Sequence, residues 1–197
     1  KIGFIGDSIT YGYGLSAGQT PPDQVKAAFQ KWPLVRDVSI VNSGVSGSKS
    51  ADWIVDTSGT NLFVAKAAFS AASVSHIHVM LGANDAGTAN HVSAATFGSN
   101  LSTICMNLVA AGYKVILSYP IYIVAGANAG ATDAASVDLA IAYRAQIELL
   151  INNKTILRGD TNAWKYFTTT QSEYQSDLTH PTAAGAASLG AMWASAI

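Results

Sequence analysis

The sequence is poor in charge and in cysteine, and it contains no long hydrophobic run. Charged residues make up 12% of the 197, with a net charge of −1, where an ordinary soluble domain has about a quarter. Such a chain lacks the basic surface that binds nucleic acid or an anionic membrane, so neither partner is expected. The one cysteine, Cys105, excludes an internal disulfide bond. No apolar run approaches the length of a membrane span.

Length and composition favour one soluble domain. A chain of 197 residues, 49% of them hydrophobic, can bury a sizeable core. Neither a linker nor an internal repeat divides it, which predicts a single domain over residues 1–197. We expect a monomer, although no pattern in the sequence determines the oligomeric state. The sequence leaves the compartment undecided, because a secreted enzyme and a domain of a surface or viral protein are both compatible with it.

Short apolar runs alternate with longer helical patterns, which predicts an α/β fold with helices on both faces of a parallel sheet. The predicted strands are residues 1–6, Val38–Val41, Ile77–Leu81, Val115–Leu117 and Ile156–Leu157. Three of the predicted helices are Pro21–Trp32, Leu62–Ala72 and a helix from Ser93 to Gly112. A fourth helix is indicated by the spacing of Val137, Ile141, Ile147 and Ile151. The last helix begins at Pro181, and its packing face carries Leu189, Met192 and Trp193. The Gly/Ala-rich residues 125–131 are expected to form a flexible loop.

Several chemically active residues follow the ends of predicted strands. The first strand stops at Gly6-Asp7-Ser8, which places Ser8 where the chain leaves the sheet. Another strand ends in Gly82-Ala83-Asn84-Asp85. In an open α/β sheet, ligands bind at the carboxyl ends of the strands. Ser8 and Asn84 are therefore candidates for one common site.

A third stretch, near the end of the chain, supplies a candidate base. Asp177 precedes His180 by three residues, in a turn before the last predicted helix. At that spacing the carboxylate can reach Nδ1 of the imidazole while Nε2 faces outward, which is the tautomer control that a general base needs. Hydrolysis by a serine requires a nucleophile, a base, a group that orients the base, and donors for the oxyanion. The chain offers a candidate for each.

Four motifs in order resemble the sequence blocks of the SGNH (GDSL-type) hydrolases. They are Gly6-Asp7-Ser8-Ile9, the loop from Asn42 to Gly47, Gly82-Ala83-Asn84-Asp85, and Asp177…His180-Pro181. Ile9 stands where the family usually has leucine. The resemblance implies a three-layer α/β/α, flavodoxin-like fold with a five-stranded parallel sheet. It also implies an esterase that needs no metal and no cofactor.

The resemblance further implies the roles of the site residues. Ser8 would be the nucleophile, His180 the base, and Asp177 the group that orients it. The oxyanion hole would consist of the Ser8 amide, the Gly47 amide and the Asn84 side chain. Gly44 is the alternative oxyanion donor. If Gly47 is the donor, Gly44 would only shape the turn.

Other residues have both a functional and a structural interpretation. His76 and His78 could suggest a metal, but they lie at the opposite end of their strand from the proposed site, and no further His or Cys joins them. His91 could border the cleft, and Cys105 is expected in the core. The aromatic residues that could line the cleft or pack internally are Tyr11, Tyr13, Trp53, Tyr119 and Tyr122.

The sequence thus predicts a serine esterase acting through an acyl-enzyme. No long insertion is available to build a lipid-binding lid, which favours short acyl esters, especially acetyl groups on carbohydrates. Hydrolysis of acyl thioesters or lysophospholipids is the enzymatic alternative. The non-enzymatic alternative is a catalytically silent carbohydrate-binding module, against which the complete set of catalytic residues argues.

Overall fold

A computed structural model of the protein describes residues 1–33 and 38–197. Its centre is a five-stranded, all-parallel sheet with the order β2-β1-β3-β4-β5. The strands are β1 (Ile2–Gly6), β2 (Ile40–Asn42), β3 (His76–Met80), β4 (Lys114–Leu117) and β5 (Ile156–Arg158). The predicted α/β class and parallel sheet are confirmed.

Helices cover both faces of the sheet. They are α1 (Ser8–Tyr11), α2 (Pro21–Gln30), α3 (Asn61–Ala71), α4 (Ala83–Ala86), α5 (Ala94–Ala110), α6 (Ala127–Gly130), α7 (Ala134–Leu150), α8 (Ala163–Thr169) and α9 (Ala183–Ala196). Helices α3, α5 and α7 contribute to one buried apolar cluster, and α2, α8 and α9 to another. Strand β1 joins both, since Ile5 belongs to the first and Phe4 to the second. This confirms the three-layer α/β/α architecture.

Helix α5 shows how local sequence produces these elements. The Ser93 hydroxyl accepts a hydrogen bond from the amide of Thr96 (3.1 Å) and caps the amino end of the helix. The buried face includes Phe97 and Leu101, spaced four residues apart as an amphipathic helix requires. Beyond the helix, Gly112 adopts a φ of +90°, a conformation that favours glycine. The predicted helix from Ser93 is confirmed.

Three details differ from the sequence predictions. Strand β2 is Ile40–Asn42 and not Val38–Val41, because it pairs with β1 only over those residues. Helix α7 buries Ile147, one of the four apolar residues that predicted it, but it exposes Ile141 and buries Tyr143 in the core. The loop over residues 125–131 contains the single turn α6, in which Asn128 and Ala129 adopt positive φ values of 48° and 55°.

The strand order places the candidate site at a reversal of the sheet. Strands β2 and β3 lie on either side of β1, so the chain changes direction there, as in flavodoxin-like sheets. Ser8 follows β1 and Asn84 follows β3, which brings both to the same edge. Within the described ranges, no helix is long and apolar enough to cross a bilayer.

Candidate active site

Ser8 is the first residue of the short helix α1. Asp7 caps this helix, since its Oδ1 accepts a hydrogen bond from the amide of Ile9 (2.9 Å). Gly12 ends the helix with a φ of +90°. The result is a tight turn directly after β1 that presents the Ser8 side chain at the edge of the sheet. The amide of Ser8 is at a helix amino end and has no intrahelical acceptor.

The structure joins Ser8, His180 and Asp177 by hydrogen bonds. Nε2 of His180 lies 2.8 Å from Oγ of Ser8, and Nδ1 of His180 lies 2.6 Å from Oδ2 of Asp177. The other Asp177 oxygen accepts from the amides of Thr179 (2.9 Å) and His180 (3.0 Å). Because an ionised carboxylate only accepts, Nδ1 of His180 carries a proton and Nε2 is free to accept from Ser8.

The same contacts keep Asp177 ionised. Burial acts to raise the pKa of the Asp177 carboxyl, but the hydrogen bonds from His180 and Thr179 outweigh it and hold the pKa below its ordinary value. The carboxylate is therefore charged at neutral pH and stabilises a positive charge on His180. This arrangement lets His180 take a proton from Ser8 and later return it.

Asn84 and Gly47 lie on the wall of the cavity that also contains Ser8. Nδ2 of Asn84 donates to the carbonyl of Ser48 (3.0 Å), which fixes the orientation of the amide and leaves its second hydrogen available. Gly47 has a φ of +78°, and its amide has no acceptor within the described part of the chain. These groups can donate to an oxyanion.

Gly44, the alternative to Gly47, has a different place. A Cβ atom added to Gly44 would lie 2.5 Å from the backbone nitrogen of Tyr11, whereas one added to Gly47 would meet open space. Gly44 thus allows the loop after β2 to pack tightly on the turn that bears Ser8. It does not line the cavity.

A buried network holds the Gly47 loop in place, and the sequence patterns did not predict it. Oγ of Ser48 donates to the carbonyl of Gly6 (3.2 Å) and accepts from the indole of Trp53 (3.0 Å). The buried carboxylate of Asp85 accepts from the amide and hydroxyl of Ser50. Asp85 directly follows Asn84, so its place in the same motif was the one available signal for this role.

Asp7 is a buried acid beside Ser8. Its Oδ2 has no hydrogen-bond partner within the described residues. Burial raises the pKa of the Asp7 carboxyl to about 7. The hydrogen bond from the amide of Ile9 lowers this pKa, and the nearby Asp85 raises it by a smaller amount. Asp7 is consequently protonated over most of the acidic range.

The cavity at Ser8 has a volume of about 360 Å³. Ile121, Ile123 and Val124 form an apolar part of its wall, and the polar residues Asn90 and Asn128 also line it. This size and mixture suit a small molecule held by a few polar groups.

The candidate aromatic residues separate into two groups. Tyr13 and Tyr122 line the cavity. Trp53 is fully buried in the core, so its interpretation as a cleft residue is wrong. Tyr11 and Tyr119 are not part of the cavity wall, and the hydroxyl of Tyr119 donates to Glu148 (2.6 Å).

His78 and His91 have structural contacts away from Ser8. His78 is completely buried and contacts the Ser118 hydroxyl through Nε2 (2.7 Å). Burial lowers the pKa of His78 to about 3. His91 pairs with Asp133 (3.1 Å) and does not line the cavity. No group of three or more potential metal ligands occurs in residues 1–33 and 38–197. Cys105 is buried in the core, as predicted.

Solved structures share this fold over nearly the whole chain. A lipase/acylhydrolase from Enterococcus faecalis matches with a TM-score of 0.75 and 24% identity, covering 98% of this chain and 93% of that protein. A carbohydrate acetylesterase family member from Sinorhizobium meliloti matches with a TM-score of 0.67 and 20% identity, covering 98% and 94%. The comparison with curated proteins found no significant match.

The family comparison agrees with the order of the motifs. The model of the GDSL-like lipase/acylhydrolase family matches residues 4–187, a range that includes Ser8, Asn84, Asp177 and His180. The family resemblance predicted from the motifs is thereby confirmed. The chain belongs to the GDSL-like lipase/acylhydrolase family and is a carboxylic ester hydrolase.

Proposed function

We propose that the protein hydrolyses short-chain acyl esters, especially acetyl esters of carbohydrates, through a Ser8-His180-Asp177 triad. The observation that carries the catalytic assignment is the unbroken series of hydrogen bonds from Ser8 Oγ to His180 and from His180 to Asp177. A catalytically silent binding module of the same fold would not require this alignment.

The geometry supports a two-step reaction. His180 accepts the Ser8 proton as Oγ attacks the ester carbonyl, and the Ser8 amide, Gly47 amide and Asn84 side chain stabilise the oxyanion. The imidazolium then protonates the leaving alcohol, which leaves an acyl group on Ser8. Water, activated by the same histidine, releases the acid and restores Ser8.

The cavity supports a small acyl group. Its volume of about 360 Å³ is near the lower end of the roughly 300–1,000 Å³ range of small-molecule sites. Asn128 on its wall offers a side-chain amide to hydroxyl groups, as a carbohydrate would need, whereas the Asn90 side chain already contacts Lys49 and Asn84. The Sinorhizobium meliloti relative is described as a carbohydrate acetylesterase family member, but at 20% identity that likeness concerns the fold alone. The choice of substrate therefore rests on the cavity.

Acyl-chain profiling tests this function. We expect p-nitrophenyl acetate to have the highest kcat/KM in a series that continues through butyrate and octanoate, and the Ser8→Ala variant to be inactive on all three. A preference for octanoate would contradict the short-chain assignment and favour thioesters or lysophospholipids as substrates. Equal rates for the wild type and Ser8→Ala on every ester would contradict the triad.

A further inference from the structure

Two exposed apolar side chains lie next to the catalytic histidine. The ring of Tyr13 packs on the imidazole of His180, with centroids 4.5 Å apart at an angle of 38°. Leu178 lies two residues before His180 in the same turn. Both residues line the cavity, yet Tyr13 is 50% exposed and Leu178 is 38% exposed. Their apolar surface therefore faces the space where a substrate would bind.

Hydrogen bonds hold the backbone of Tyr13 next to the turn that carries His180. The Tyr13 amide donates to the carbonyl of Ser8 (2.9 Å). The side-chain amide of Gln175 donates to the carbonyls of Tyr13 and Pro181, at 2.9 Å each, and the Gln175 backbone amide donates to the carbonyl of His180 (2.7 Å). Gln175 thus ties the turn of the nucleophile to the turn of the base. The exposed ring of Tyr13 is preorganised, which reduces the entropy lost on binding.

Leu178 adopts a conformation that is unfavourable for its residue type. Its φ of +55° falls in the left-handed region, where a residue with a branched side chain is uncommon. Backbone strain of this kind concentrates at active sites and ligand-binding loops. Here the strained residue places an apolar side chain at the cavity wall.

The chemistry assigns this side of the cavity to the leaving alcohol. When the tetrahedral intermediate collapses, the bond between the carbonyl carbon and the alcohol oxygen breaks, while the bond from that carbon to Ser8 Oγ remains. The alcohol oxygen takes the proton that His180 Nε2 received from Ser8. That oxygen must lie within hydrogen-bond reach of Nε2. The substituent on it then lies next to the side chains that flank His180.

We propose that Tyr13, together with Leu178, binds the leaving alcohol, and that this alcohol carries a ring with a flat apolar face. An aryl ring and the CH face of a pyranose share this chemistry, and both can pack against the ring of Tyr13. The proposal rests on the esterase function proposed above and adds the recognition of the alcohol to it.

The test varies the alcohol at a constant acyl group. Ethyl acetate, phenyl acetate and a mono-acetylated glucopyranoside are compared as substrates of the wild type, Tyr13→Ala and Tyr13→Leu. We expect the ratio of kcat/KM for a ring alcohol to that for ethyl acetate to fall roughly three- to tenfold in both variants, the range expected for one aromatic contact. Tyr13→Leu keeps an apolar side chain beside His180 without a flat ring, and Tyr13→Phe should restore the ratio.

Tyr11 provides the matched control, since it is 53% exposed in the same turn but does not line the cavity. Tyr11→Ala should leave the ratio within about twofold of the wild type, well inside the change expected at Tyr13. A ratio that falls for phenyl acetate alone identifies an aryl alcohol, and a fall for the glucopyranoside alone identifies a sugar. Equal losses on all three esters would overturn the proposal, because Tyr13 would then only support His180. If the wild type hydrolysed none of the esters, the proposed function would fail as well.

Discussion

The side-chain amide of Asn84 donates a hydrogen bond to the carbonyl of Ser48, 3.0 Å away. This contact joins the short helix α4, which follows β3, to the loop after β2, which carries Gly47. Two proposed oxyanion donors from different strands are thereby held together before a substrate arrives. A preorganised donor stabilises the transition state without reorganisation during the reaction.

Removing the Asn84 amide should therefore affect turnover more than binding. We expect Asn84→Ala to lower kcat by roughly 10²–10³, with a much smaller change in KM, because the hydrogen bond forms mainly in the transition state. Asn107 offers a control, since its amide contacts the carbonyl of Ile54 outside the cavity. Steady-state kinetics of Asn107→Ala should match the wild type. A change confined to KM in Asn84→Ala would remove Asn84 from the oxyanion hole.

The two loop glycines should respond differently to alanine. Gly44→Ala should destabilise the fold by about 1–3 kcal/mol because its Cβ would overlap the backbone of Tyr11. Gly47→Ala meets open space, but its φ of +78° is strained for alanine by about 1–2 kcal/mol. Relaxation of that strain turns the amide, so kcat should fall further than stability explains.

Urea unfolding and kcat measured on the same samples separate the two effects. Full activity per folded molecule in Gly47→Ala would show that its amide does not serve the oxyanion.

Asp7 makes stability depend on pH. Its pKa of about 7 in the folded protein lies above the unfolded value of 3.8. Between these values the folded state holds a proton that the unfolded state has lost, so Asp7 lowers stability as pH rises. The penalty is fully present above pH 7 and amounts to about 4 kcal/mol at 1.36 kcal/mol per pKa unit.

The variant Asp7→Asn tests this because asparagine also caps helices well. The free energy of unfolding of Asp7→Asn, measured relative to the wild type, should increase by several kcal/mol from pH 4 to pH 8. Urea titrations across that range provide the comparison. Two parallel stability curves would mean that Asp7 ionises as readily in the folded chain as in the unfolded one.

His78 acts in the opposite direction. Its pKa of about 3 in the folded protein lies below the unfolded value of 6.5. The unfolded state takes up a proton as pH falls through 6.5 while the buried imidazole stays neutral, so stability is lost toward acid. Relative to His78→Gln, the wild type should lose about 3 kcal/mol between pH 7 and pH 4. Unfolding midpoints at those two pH values measure the difference, and an equal pH dependence of both proteins would refute it.

The strands could be predicted from sequence because each is a short apolar run. Parallel strands buried on both faces show this pattern, as β1 does with Phe4 and Ile5 in separate clusters. Strand boundaries are harder to predict, since β2 ends where its pairing with β1 ends. The short helix α8 has no long apolar period and was not predicted.

The chemically active residues could be predicted because they stand in local motifs, whereas the groups that position them could not. Gln175 donates a hydrogen bond to Tyr13, which lies 162 positions earlier in the chain, and no local sequence pattern indicates such a pair. The position of Trp53 was also not predictable from local sequence: it follows a predicted strand end, where it could have lined the cleft. Its hydrogen bond to Ser48 and its burial in the core depend on tertiary packing.

Covalent labelling of Ser8 tests the central claim most directly. A phosphonylating reagent that reacts with activated serines is added to the protein, and the modified peptide is identified by mass spectrometry. The hydrogen bonds among Ser8, His180 and Asp177 predict one adduct, on Ser8, that forms much more slowly in His180→Ala and is absent in Ser8→Ala. Labelling of another serine, or labelling of Ser8 at the same rate without His180, would contradict the triad.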